Sequence, residues 1–149
     1  MTAGRASADH RTMAHAARAI GPVRLGFVLA AWLFVVSVVI QIILVGLDIF
    51  ADLGGDIHRD FAYVYGWLVP LLVLLASFAQ VPTRLRSLSL VLLLLFAAQT
   101  VLPSLKDQFP LLAAFHTVNA LAIFAVGLTL ARRATEWVRQ IPNAVGGNP

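Results

Sequence analysis

Four stretches without a single charged side chain, 25–47, 61–82, 87–105 and 108–131, dominate the sequence. Each meets the roughly 20 helical residues needed to cross a hydrocarbon core. The connections between them are short. A backbone in lipid must satisfy its own hydrogen bonds, so four such stretches with tight loops predict an antiparallel bundle of four spanning helices, not a barrel. With 60% hydrophobic and 12% charged residues over 149 positions, a soluble domain of this size is excluded. The expected class is all-α: an integral membrane antiparallel four-helix bundle made of two tandem two-helix repeats. The lipid bilayer is its first partner.

The net charge of +4 would suit nucleic acid, but its distribution points elsewhere. Arg5, Arg11, Arg18 and Arg24 precede the first span, Arg84 and Arg86 join the second to the third, and Arg132, Arg133 and Arg139 follow the fourth. All of these fall on one side of a four-span weave. Asp48, Asp52, Asp56, Asp60 and Asp107 fall on the other, with Arg59 and Lys106 as its cations. By the positive-inside rule both termini are cytoplasmic, and no role for nucleic acid is expected. The preference for Arg over Lys, with heavy Ala and Leu usage, points to the plasma membrane of a high-GC bacterium. The absence of cysteine excludes disulfides, thiolate chemistry and Cys-ligated metal.

Three segments follow: a tail over residues 1–23, the bundle over 24–133 and a second tail over 134–149. The first apolar run comes too late and is too long for a secretory signal, so the N-terminal segment is read as a disordered or surface-lying tail closed by Gly21-Pro22. His10 and His15 belong to it as solvated residues. In the first span Ser37 and Gln41 are one helical turn apart, and their shared face should point into the bundle. Gly54-Gly55 breaks the outer loop, and Asp56 suits the N-cap of the next helix. Tyr63, Tyr65 and Trp67 read as belt or packing residues, and Pro70 should kink the second span. Pro103 ends the third. The last residues, NAVGGNP, read as disordered.

One pattern stands out from the apolar background. Gln41 is followed seventeen positions later by His58, and Gln99 seventeen positions later by His116, so the second pair is the first moved by 58 residues. The same offset aligns Ala62 with Ala120, one helical turn past each His, where a small side chain leaves room for something flat. In an up-down weave all four polar residues reach the same depth of the outer half, and the second and fourth helices are diagonal partners. Two imidazoles flanked by two amides would then face across the bundle. That arrangement suits bis-imidazole ligation of haem iron. Gln41 or Gln99 would accept the second ring N–H of each ligand. Zinc is disfavoured, because a structural site wants four protein ligands and two strong ones are present. The plainer reading makes the same residues interhelical hydrogen bonds and His58 an interfacial residue. The repetition of the spacing favours a site. Arg59 reads equally as a headgroup anchor or as a partner for a haem propionate. Asn119 reads as a helix–helix hydrogen bond.

The Gln-to-His spacing across an outer loop, the His58-Arg59 pair and the recurrence ending in a His on the fourth span resemble one four-helix half of the haem A synthase family. The chain is also similar to small four-span bacterial membrane proteins of the same layout. The resemblance covers about residues 24–133, and it implies a b-type haem between His58 and His116. The family carries a Glu three residues before the first His of its catalytic half, where this chain has Gly55, with Asp56 one place later. Full-length members have eight spans, against four here. Three functions stay open: a haem-binding protein for electron transfer or haem handling, which is favoured; a haem-modifying oxidase; and a cofactor-free accessory membrane subunit. Half of an eight-span architecture also raises a homodimer, with Gly66 and Gly127 as candidate close contacts.

Overall fold

A computed structural model describes the backbone of residues 3–51 and 56–145, and the side chains of residues 21–51 and 57–140. Its elements are α1 (Ala3–Ala51), α2 (Asp56–Gly66), α3 (Leu68–Phe78), α4 (Thr83–Val101), a 3-10 turn (Leu102–Leu105) and α5 (Pro110–Val145). Four helical stretches are long and apolar enough to cross a membrane: Gly21–Ala51, Ile57–Phe78, Thr83–Leu105 and Pro110–Gln140. The fold is the expected all-α four-span bundle. Spans one and three each pack against spans two and four, so spans two and four lie on a diagonal.

Local chemistry accounts for the element boundaries. The second span divides into α2 and α3 at Trp67, three residues before Pro70. Pro70 has no N–H for the carbonyl of Gly66, and the helix loses continuity there. Pro110 occupies the first position of α5, where a missing N–H costs nothing. Between spans two and three the chain turns on Gln80, whose φ of 53° is the left-handed conformation that commonly closes a helix. The carbonyl of Ala79 exposed by that ending accepts Arg24 Nε at 3.4 Å. The Arg24 guanidinium also lies over the ring of Trp137, 5.1 Å from its centroid. Trp32 Nε1 donates to Thr135 Oγ1 at 3.0 Å, a second link between α1 and α5.

The ends of the chain depart from the sequence reading. The N-terminal segment is helical from Ala3 and runs through Pro22 into the first span, so it is not disordered and Gly21-Pro22 does not close it. Its alanines favour helix, and continuing an existing helix avoids a second nucleation. Likewise α5 continues to Val145 before residues 146–149, which lie outside the described residues. Asp52 and the Gly54-Gly55 break lie outside them too, as do the side chains of Asp56, His10 and His15. Asp56 itself is the first residue of α2.

Packing is uneven along the bundle. The core joins Phe27, Ala31 and Phe34 of α1, Val69, Leu72 and Ala76 of α3, Leu85 and Leu92 of α4, and Leu130 and Ala134 of α5. Phe34, Tyr65 and Phe96 then close the bundle axis: Tyr65 stands 5.9 Å from Phe34 and 5.7 Å from Phe96, and Phe34 reaches Phe96 across the diagonal at 6.5 Å. Gly66 and Gly127 serve this interior. A Cβ on Gly66 would meet the Phe96 ring at 2.8 Å, and one on Gly127 the Phe34 ring at 3.0 Å. Both glycines permit close approach within one chain, so self-association would need another surface. Beyond the three rings, toward the loop that joins spans one and two, none of the described side chains of residues 39–51, 57–64 and 97–122 is fully buried.

Candidate functional site

That loosely packed half is where the repeated residues lie. Ser37, buried, and Gln41, half-buried, share the inward face of α1, as their spacing predicts. His58 lies near the start of α2, Gln99 in the last turn of α4 and His116 in the second turn of α5. The structure joins them in two separate units. Gln41 meets His58, Gln99 meets His116, and no hydrogen bond links one unit to the other among the described residues.

The second unit is closed. His116 Nδ1 lies 3.1 Å from the main-chain oxygen of Gln99, and His116 Nε2 lies 3.2 Å from Gln99 Nε2. Asn119 Nδ2 donates to Gln99 Oε1 at 2.7 Å and to the carbonyl of Leu95 at 2.9 Å. The Gln99 carbonyl is open to His116 for a covalent reason. Its helical partner would be the N–H four residues on, and that residue is Pro103, which has none. Helix α4 gives way to the 3-10 turn at Leu102, one residue before that proline.

The first unit is open. Gln41 Nε2 donates to the main-chain oxygen of His58 at 2.8 Å, not to its ring. Gln41 Oε1 and His58 Nδ1 are both shielded from solvent, without a hydrogen-bond partner among the described residues. Such atoms are rare, because each costs about 1–3 kcal/mol. Shifting the sequence by 58 explains the difference. Val45 stands where the second unit has Pro103, so the Gln41 carbonyl keeps its normal helical partner. Phe61 stands where the second unit has Asn119, so Gln41 Oε1 has no amide beside it. Asp48 Oδ2 is 4.0 Å from His58 Nδ1, and the two side chains are 27% and 32% exposed.

The remaining sequence candidates sit around these units. Ala62 and Ala120 are half-buried one turn inward of each His, and Ala62 packs on the core. Arg59 is exposed, with Nε 3.8 Å from Asp60 Oδ1. Asn119 makes the interhelical hydrogen bond expected of it. Tyr65 is buried, whereas Tyr63 and Trp67 are exposed on the outer surface of the bundle. Asp48 and Pro103 carry more than the sequence reading gave them. Asp48 is two helical turns past Gln41 and so on its face, and Pro103 is four residues past Gln99. Both intervals are visible in the sequence. Among the described residues no three His, Cys, Asp or Glu side chains gather as a metal site.

Residues 41–105 match a family model described as a family of unknown function, DUF6220. The match opens at Gln41, includes His58 and Gln99 and ends before His116. No curated protein and no solved structure matches the chain.

Proposed function

We propose that the protein binds one b-type haem in the membrane between His58 and His116, and that it serves electron transfer or haem handling. The observation that carries this reading is the coincidence of the two Gln–His units with the half of the bundle that buries no side chain among the described residues. The resemblance to one half of haem A synthase points the same way. When bound, the haem would supply a one-electron redox centre.

The residues suit that guest. A metal-ligating imidazole characteristically gives its other N–H to a carbonyl or carboxylate. His116 has the Gln99 carbonyl for this at Nδ1, and its Nε2 faces the Gln99 side-chain amide, which the guest would displace. His58 brings a ring nitrogen that has no hydrogen-bond partner among the described residues. Ala62 and Ala120 keep the next turn low. Phe34, Tyr65 and Phe96 close the axis inward and would keep the guest in the outer half. Arg59, at the outer end of α2, would meet a propionate. The arginine asymmetry supports cytoplasmic termini in a bacterial plasma membrane, which puts this half on the outer side.

A second reading, a cofactor-free accessory subunit, draws on the fact that Gln99 already engages both ring nitrogens of His116. Detergent-purified protein separates the two. A low-spin haem b spectrum that is lost alike in His58→Ala and His116→Ala supports the first. A colourless protein that takes up no added haem leaves the second.

A further inference from the structure

We propose that Pro103 and Asn119 are positioning residues that commit His116 to the tautomer carrying its proton on Nδ1, and that His58, which has neither device, is the tautomerically free member of the pair. The hydrogen bonds of the second unit leave no other assignment. Asn119 Nδ2 can only donate, so the atom of Gln99 that meets it at 2.7 Å is the oxygen. The Gln99 amide nitrogen is thereby turned to His116 Nε2, 3.2 Å away, and that nitrogen can only donate in turn. His116 Nε2 must therefore accept and carry no proton. The proton of the neutral ring is on Nδ1, where the Gln99 carbonyl accepts it at 3.1 Å. That carbonyl has the capacity because Pro103 makes no claim on it.

Each link names a residue whose loss relaxes the choice. An N–H at position 103 would compete for the Gln99 carbonyl and weaken the hold on Nδ1. Without Asn119 the Gln99 amide can flip, present its oxygen to Nε2 and stabilise the opposite tautomer. In the first unit both conditions are already missing, since Val45 and Phe61 stand at the matching places, His58 Nδ1 has no hydrogen-bond partner among the described residues, and the Asp48 carboxylate, 4.0 Å away, is beyond hydrogen-bond reach. The outcome is one imidazole with a single predetermined lone pair beside one that adapts to whatever meets it. This holds for the chain itself and does not rest on the identity of the guest.

The test is nitrogen-15 NMR of the histidine rings in the full chain, in lipid nanodiscs without added haem. The pH should be about 8.5, two units above the ordinary imidazole pKa of about 6.5. Signals are assigned by their loss in His58→Ala and His116→Ala. His116 should favour Nδ1–H by at least roughly tenfold, the weight of one good hydrogen bond, and His58 should show a mixture. Pro103→Ala and Asn119→Leu should each bring His116 toward a mixture and leave His58 unchanged. Two variants are used so that one misfolding does not remove the test. A chain that binds no haem yet shows this pattern would refute the function proposed above and support the positioning roles. Protonation of His116 at Nε2 in the unmodified protein, or an unaltered tautomer in folded Pro103→Ala or folded Asn119→Leu, would overturn them.

Discussion

Moved along the chain by 58 positions, the first Gln–His unit matches the second at Gln, at His and at the following Ala, yet Val45 faces Pro103 and Phe61 faces Asn119. Those two differences separate a histidine held at both ring nitrogens from one whose Nδ1 lacks a hydrogen bond among the described residues. A duplicated motif is therefore not a duplicated environment. What surrounds the motif decides whether its polar atoms spend their hydrogen bonds on each other or keep them for a guest.

The largest expected effect comes from forcing the two halves to agree where packing forbids it. Gly66 corresponds to Phe124 in the second repeat, and its Cβ position is 2.8 Å from the Phe96 ring. Gly66→Phe should cost about 3 kcal/mol of stability, because an overpacked interior has nowhere to put a ring. Equilibrium unfolding in mixed micelles reads this directly. A variant of unchanged stability would mean that α2 and α4 do not approach as closely as described.

Next in size is the contrast between the two glutamines. Gln99→Leu removes the partner of both His116 Nε2 and Asn119, and in a membrane such polar contacts sum to about 2 kcal/mol. Gln41→Leu gives up one bond to a main-chain oxygen and relieves an unpartnered Oε1, so its stability should stay within about 0.5 kcal/mol of the parent. Equal losses in the two variants would dissolve the difference between the units. Between them falls Asn119→Leu, at about 1 kcal/mol, since it unpairs Gln99 Oε1 and leaves the Gln99 carbonyl with His116.

The sequence disclosed much of this because membrane folds are governed by length and polarity. The four spans follow from uncharged runs, the break near Pro70 from a missing N–H, and the diagonal placement of His58 and His116 from an up-down weave. The partner of each ring was less legible. Nothing in the Gln-to-His spacing says whether the amide meets the ring, as at Gln99, or the main chain, as at Gln41; that depends on neighbours four residues past the Gln and three past the His. The interior use of Gly66 and Gly127 was hidden for a related reason. A small residue in a spanning helix marks close approach, but not whether the approaching ring belongs to the same chain. The helical N-terminal segment was missed because its polar composition outweighed its alanines.

Titration of haem into the full chain in lipid nanodiscs, followed by its visible spectrum in the oxidised and reduced states, tests the central claim most directly. The proposed site predicts saturation at one haem per chain with the bands of a low-spin bis-imidazole iron, and His58→Ala and His116→Ala each abolish that form. Absence of saturable binding, or a low-spin spectrum that survives either substitution, would contradict it.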